Sequence, residues 1–181
     1  GEIIQNQQIT RDVYLLKMRL DKEINFKAGQ FVNIEAMLET GKKIKPYSIA
    51  SSPFQKDVLE FCIKKVEGGA VSTYLYNIGL GTKLNLMGPF GQFILREDNG
   101  HGCILVGTGT GIAPLKPMLE VLLEKGYKEN ITVLFGVRYE EDVYYEEFFE
   151  EMEKKHKNFK FVPTLSKSGH EWKGEKGYVQ D

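Results

Sequence analysis

The stretch Val106-Gly107-Thr108-Gly109-Thr110-Gly111-Ile112-Ala113-Pro114 constrains this chain most, because it reads as a buried strand running through a glycine turn into a helix. Cys103, Ile104, Leu105 and Val106 form a short apolar run of strand type. Leu115, Met118, Leu119, Leu122 and Leu123 then repeat with helical period. The glycines occupy the crossover itself, where they leave no side chain between the backbone and a phosphate. The free N–H groups of the first helical turn supply donors and partial positive charge, so a dinucleotide pyrophosphate suits this place. Pro114 and Pro117 fit the same turn, since the first helical donors have no intrahelical partner. The Gly-x-Gly-x-Gly spacing is not the Gly-x-Gly-x-x-Gly of the usual dinucleotide fingerprint. It also occurs in S-adenosylmethionine binders and in plain tight turns, so the segment alone leaves these readings open.

Residues 1 to about 97 read as all-β, with strands at residues 3–9, 13–20, 30–36, 46–51, 59–66 and 83–87 and one short helical stretch near residues 71–77. Short turn-separated strands of this kind suit a small antiparallel barrel. From about residue 102 the chain changes character. Strand 103–106, helix 112–125, strand 131–135, helix 143–156 and strand 159–164 alternate as in a parallel α/β sheet. The fold class is therefore an N-terminal antiparallel β-barrel, residues 1–97, followed by an α/β nucleotide-binding domain, residues 102–181. The polar, glycine-bearing Arg96-Glu97-Asp98-Asn99-Gly100-His101-Gly102 marks the boundary.

With 24 basic against 25 acidic residues the formal charge is −1, and nothing in that balance calls for nucleic acid or an anionic membrane. No apolar run approaches the length of a membrane span, and Gly1-Glu2-Ile3-Ile4-Gln5-Asn6 lacks the pattern of a leader, so the cytoplasm is the expected compartment. Cys62 and Cys103 are far apart and lie in apolar runs, as buried structural thiols do. With His101, His156 and His170 equally isolated, no metal site is expected.

Two further segments carry chemistry. Lys45-Pro46-Tyr47-Ser48 combines a cation, an aromatic ring and a hydroxyl on one extended segment that can hold a flavin. The Tyr47 ring would stack on the isoalloxazine, Ser48 would reach its N5 edge and Lys45 would pair with a phosphate. Gly68-Gly69-Ala70-Val71-Ser72 puts two glycines and a serine at a helix start, a second anion cradle. Read singly, each is equally an ordinary amphipathic strand or an ordinary capped helix.

In this order the segments resemble the ferredoxin-NADP reductase superfamily of flavin-dependent NAD(P)H oxidoreductases, and the resemblance covers essentially the whole chain. Lys45-Pro46-Tyr47-Ser48 looks like its Arg-x-Tyr-Ser flavin motif, residues 68–72 like its pyrophosphate motif, and Gly88-Pro89-Phe90-Gly91 like the turn closing its barrel. Gly107, Thr108, Gly109, Thr110, Gly111 and Pro114 look like its pyridine-nucleotide motif. Lysine at position 45, where arginine is usual, keeps the charge but not the bidentate geometry.

The resemblance implies FAD, with FMN the lesser alternative, and NADPH or NADH as donor. Hydride would pass from nicotinamide C4 to flavin N5, with Tyr47 and Ser48 at the reacting rings, and electrons would go on to an acceptor such as a ferredoxin, flavodoxin or oxygenase component. Arg138, Ser166, Lys167 and Lys176 resemble the set that meets a 2′-phosphate, with Tyr178 stacking on adenine, which leans the reading to NADPH. The alternative is a flavin-bearing electron-transfer or docking subunit with weak turnover of its own. The resemblance also implies a further helix and a strand bearing Cys-Gly-Pro beyond Asp181, so the chain is expected to be a fragment that holds flavin yet is reduced slowly by itself.

Overall fold

Residues 1–96 and 100–181 are described by the computed structural model, and the expected domain boundary within residues 96–102 lies partly outside them. The first half is built from six strands: β1 (Glu2–Gln8), β2 (Val13–Arg19), β3 (Phe31–Leu38), β4 (Gly41–Ser48), β5 (Val58–Lys64) and β6 (Asn85–Phe90). They form two antiparallel three-stranded sheets, β1-β2-β5 and β4-β3-β6, joined by a bridge between Glu2 and Lys83. Alternate residues of both sheets, among them Ile3, Leu16, Met18, Val32, Ile34, Phe61 and Ile63, fill a common core. Alternation with a period of two is what lets each sheet bury one face. Helix α1 (Ala70–Tyr76) closes this core with Val71 and Leu75. Asn6 on β1 fixes the end of α1 by donating through its side-chain amide to the carbonyls of Leu75, Tyr76 and Ile78.

The edge strand β4 begins at Gly41, five residues before the expected start, and stops at Ser48 rather than residue 51. Its first half carries Lys42, Lys43 and Lys45, and lysines are common on exposed edges, where they discourage further pairing. Pro46 is tolerated there because an edge strand has N–H positions that no neighbour needs. The expected closing turn at Gly88-Pro89-Phe90-Gly91 is instead mostly strand. Phe90 pairs with Phe31 at the end of β6, and only Gly91 lies beyond it, with φ +104°.

In the second half β7 (Cys103–Thr108), β8 (Ile131–Val137), β9 (Phe159–Leu165) and β10 (Glu175–Lys176) form a parallel sheet in the order β10-β9-β8-β7. Helices α2 (Leu115–Glu124) and α3 (Glu146–Lys155) join the buried alternates Leu105, Val133, Phe135, Phe159 and Phe161 in one core. On the other face of β7, Ile104 and Val106 are 67% and 52% exposed. The glycine turn forms a separate 3-10 segment over Gly109–Ile112, and α2 proper starts at Leu115 with Pro114 as its N-cap. The expected helix 112–125 is thus split at Pro114, which keeps right-handed helical dihedrals but has no N–H to continue the ladder. Likewise α3 starts three residues late, because Tyr145 takes a left-handed conformation with φ 62° and Asp142 closes a 3-10 turn by accepting from the Tyr139 N–H.

Strand β5 belongs to both halves. Leu59, Phe61 and Ile63 point into the barrel core, while Cys62 joins the core of the α/β half together with Val13, Ala28 and Ala50. A strand covered on both faces loses polar alternation, and β5 is buried from Val58 to Ile63.

Candidate active site

A cleft of about 790 Å³ lies at the carboxyl ends of the parallel strands, between the two halves. This is where open α/β sheets bind ligands, because the loops leaving the strands diverge there. Its volume falls within the roughly 300–1,000 Å³ usual for small-molecule sites. Thr108, Gly109 and Thr110 enter from the crossover, residues 136–139 from the end of β8, Ser166 from the end of β9 and Tyr178 from beyond β10. The facing wall comes from the barrel: residues 11–13 of the β1–β2 turn and residues 64–67 after β5.

The glycines of the crossover divide the labour. A Cβ on Gly107 would stand 2.8 Å from Leu115 Cδ1 and 3.0 Å from the Gly111 carbonyl oxygen, so this glycine lets α2 pack close against β7. Gly109 has φ +50°, and neither there nor at Gly111 would a Cβ meet any atom within 4 Å. Those two leave bare backbone beside open space, as a phosphate requires. Gly136 on β8 is a packing glycine outside the glycine motifs, since a Cβ there would stand 2.4 Å from Val179 Cγ1.

Of the residues expected around the adenosine end, Arg138, Ser166 and Tyr178 line the cleft. The Ser166 N–H donates to the Val137 carbonyl at 3.0 Å and that of Lys167 to the Arg138 carbonyl at 2.9 Å, which ties the exits of β8 and β9 together. Lys167 does not line the cleft; its ammonium lies 5.9 Å from the centre of the Tyr139 ring. Lys176 is exposed on β10, next to the lining residue Gly177 but not itself in the lining.

The segment expected to hold flavin lies elsewhere, on the barrel. Tyr47 and Ser48 are half-buried at the end of β4, whereas Lys45 and Pro46 are exposed. Tyr47 packs on the barrel core, and that burial raises its phenol above the ordinary value. The fully buried Tyr14 connects this region to α1: its hydroxyl donates to the Ser72 carbonyl at 3.0 Å, and the neighbouring Tyr47 adds to the upward shift that burial imposes on it.

At the start of α1 the expected cradle is only partly available. The Ser72 hydroxyl accepts from the Val66 N–H at 3.1 Å and donates to the Gly69 carbonyl at 3.1 Å, so it holds the turn and caps no helix end. A Cβ on Gly69 would meet Ser72 Oγ at 2.6 Å and the Val66 carbonyl oxygen at 3.0 Å. Gly68, with φ +70°, faces open space. What remains for an anion is backbone: Gly68 itself and the N–H groups of Ala70 and Val71, which precede the first intrahelical donor, the Thr73 N–H bonded to the Gly69 carbonyl.

Sequence reasoning missed the barrel wall of the cleft. Arg11, Lys64 and Lys65 bring positive charge to it, with Asp12 paired to Lys64 at 2.9 Å and Lys65 over the Tyr76 ring. Their spacing gave no hint, because only the docking of two domains brings these turns to the ends of β7 and β8. Cys62 is buried and Cys103 half-buried, both are free thiols, and burial with the nearby Glu60 pushes the Cys62 thiol up to about 12. Among the described residues no group of three His, Cys, Asp or Glu side chains could hold a metal ion. No helix among them is long and apolar enough to cross a membrane.

Comparison with known proteins agrees with this division. Residues 1–94 match the family described as oxidoreductase FAD-binding domain and residues 105–181 the oxidoreductase NAD-binding domain. The chain is 32% identical to the phenol hydroxylase P5 protein of Acinetobacter pittii, over 99% of this chain and 51% of that protein. It is 37% identical to ferredoxin–NADP reductase B of Sorangium cellulosum, over 88% of this chain and 65% of that one. The crystal structure of a cytochrome P450 reductase from Amycolatopsis superimposes with a TM-score of 0.91 at 29% identity, over 98% of this chain and 54% of that one. The chain thus spans from about half to two thirds of the length of these relatives.

Proposed function

The chain belongs to the ferredoxin-NADP reductase superfamily, and from that premise we propose that it forms the FAD- and NAD(P)H-binding part of a reductase that delivers electrons to a protein acceptor. The observation that carries this reading is the cleft at the carboxyl ends of β7, β8 and β9, where Thr108, the open backbone of Gly109 and Thr110 line a space of dinucleotide scale.

FAD, when bound, supplies the two-electron acceptor for hydride from the nicotinamide and a route for electrons to leave singly. The chain's own residues bind, orient and exclude water. Tyr47, half-exposed on a rigid edge strand, offers a ring face for stacking, and Ser48 beside it offers a hydroxyl at the ring edge. Lys45 is exposed and serves a phosphate as a point charge. Gly68, Ala70 and Val71 offer main-chain donors to the second phosphate of FAD, which supports FAD over FMN, while Gly69, whose N–H donates to the Val66 carbonyl, and Ser72 keep that turn in shape. Thr108, Gly109, Thr110 and Gly111 receive the nucleotide pyrophosphate, with Gly107 and Pro114 setting the path of the crossover.

Arg138 and Ser166 suit a 2′-phosphate, Lys167 stands behind them, Tyr178 offers its ring to adenine and Lys176 adds charge at the rim. NADPH is therefore the proposed donor. The relatives named above include a phenol hydroxylase component and a ferredoxin reductase, which supports an oxygenase component, a ferredoxin or a flavodoxin as acceptor. Two unpaired thiols and a pyridine-nucleotide donor suit the cytoplasm.

Flavin released by heat and identified by chromatography should be FAD. Catalytic efficiency should favour NADPH over NADH by roughly a hundredfold if two charge-assisted contacts contribute about 1.5 kcal/mol each, and Lys167→Glu should erase much of that ratio. An unchanged ratio in the variant would remove Lys167 from phosphate recognition.

A further inference from the structure

Strand β5 reads Val58-Leu59-Glu60-Phe61-Cys62-Ile63, an apolar run with one carboxylate in it, and that carboxylate is buried. A buried charge persists only where it is paired and hydrogen-bonded. Glu60 meets three groups: the Lys17 ammonium at 3.3 Å from the neighbouring strand, the Lys116 ammonium at 3.6 Å and the Tyr145 hydroxyl at 2.9 Å. Lys17 belongs to the barrel, whereas Lys116 and Tyr145 come from the nucleotide half.

Both visitors are held in place for this contact. Tyr145 is the non-glycine residue among those described that adopts positive φ, at 62°, a conformation a bulky side chain keeps only where its surroundings over-determine it. Lys116 lies in the first turn of α2, its side chain 13% exposed, with its ammonium over the Phe148 and Tyr145 rings at 4.9 and 5.4 Å from their centres. It also donates to the Ala50 carbonyl at 3.2 Å. Ala50 lies two residues beyond Ser48, and its own N–H donates to the Glu60 carbonyl at 2.8 Å. One ammonium therefore touches the Ala50 carbonyl, two residues beyond Ser48, and the Glu60 carboxylate of β5, whose carbonyl holds the Ala50 N–H, while its backbone lies in the first turn of the helix that follows the glycine crossover. Lys116 is absent from the cleft lining, so it acts on the cofactors through the elements it joins.

We propose that Lys116, anchored by Glu60 and the Ala50 carbonyl, is a positioning residue that sets the distance and angle between the nucleotide crossover and the flavin-bearing end of β4. The proposal rests on the reading of those two segments as nucleotide and flavin sites. Hydride transfer depends steeply on the mutual placement of donor and acceptor, whereas ground-state binding of each depends on its own domain. Loss of the tether should therefore lower the rate of transfer while leaving nucleotide affinity nearly intact.

The test combines two readouts on the FAD-loaded protein. The first is the distance distribution between spin labels at the exposed positions Lys43→Cys and Lys154→Cys, in a Cys103→Ser background with Cys62 buried. The second is stopped-flow flavin reduction alongside the Kd for NADP+. Lys116→Met should broaden the distribution and cut the limiting reduction rate by about tenfold or more, with Kd changing less than about threefold, and Lys116→Arg should restore both. A distribution and limiting rate that stay at wild-type values in Lys116→Met would overturn the proposal. So would a slowed rate with an unchanged distribution, which would mean that Lys116 acts on the nucleotide itself. Should Lys116→Met fail to fold, Glu60→Gln carries the same expectation. If neither nucleotide reduces the wild-type flavin, the functional reading fails, and the label distribution alone still decides whether Lys116 fixes the two halves.

Discussion

The chain enters a helix from a glycine turn twice, at Gly69 before α1 and over residues 107–111 before α2, and the two turns treat their glycines and hydroxyls differently. At α1 the turn is closed on itself: Gly69 has no room for a side chain, and the Ser72 hydroxyl is spent on Val66 and Gly69. At α2 only Gly107 is packed; Gly109 and Gly111 face open space, and Gly109 lines the cleft. Glycine plus hydroxyl ahead of a helix is therefore one sequence signal with two physical uses. One closes the turn on itself and leaves only backbone free, and the other leaves open space beside the backbone.

Substitution of the glycines should separate these uses most strongly. Gly69→Val should destabilise the fold by about 1–3 kcal/mol, because the new atoms strike the Val66 backbone. Gly111→Val should leave the denaturant midpoint nearly unchanged while weakening NADP+ binding. Equal losses of stability in both would erase the distinction. Next in size, Ser72→Ala should cost about 1–2 kcal/mol by leaving the Val66 N–H without its acceptor, whereas Thr110→Ala at the open turn should stay within about 0.5 kcal/mol of wild type.

Smaller still is the aromatic pair. Tyr47→Ala should release flavin more readily, by up to about tenfold in Kd if stacking contributes 0.5–1.5 kcal/mol, while Tyr178→Ala should change nucleotide binding and leave flavin retention alone. Tyr14→Ala is no neutral control for this, since Tyr14 is fully buried and holds the Ser72 carbonyl. Least of all, alkylation at mild pH should reach Cys103 before Cys62. A thiol pushed up to about 12 stays protonated and poorly nucleophilic, and Cys62 is buried besides. Early labelling of Cys62 would mean that the two halves part in solution.

What the sequence made legible follows from locality. Apolar runs such as Ile131–Val137 and Phe159–Leu165 carry their strand character within themselves, and the glycine crossover announced the end of the sheet where the cleft lies. Features that depend on distant partners stayed hidden. Glu175–Lys176 is a strand only because β9 offers an edge, and Tyr145 leaves helical geometry next to a carboxylate 85 residues earlier in the chain. The basic wall at Arg11, Lys64 and Lys65 belongs to the site only through domain docking. Ser72 read as part of an anion cradle at a helix start, but that its hydroxyl is occupied by Val66 and Gly69 is a matter of three-dimensional closure.

Anaerobic titration of the FAD-loaded protein with NADPH and then with NADH, followed in the flavin absorbance band, tests the central claim directly. Flavin held by the barrel and nucleotide held at the carboxyl ends of the parallel strands predict that the band bleaches, with NADPH effective at lower concentration than NADH. A correctly folded protein that retains no flavin, or a bound flavin whose band neither nucleotide changes, would contradict it.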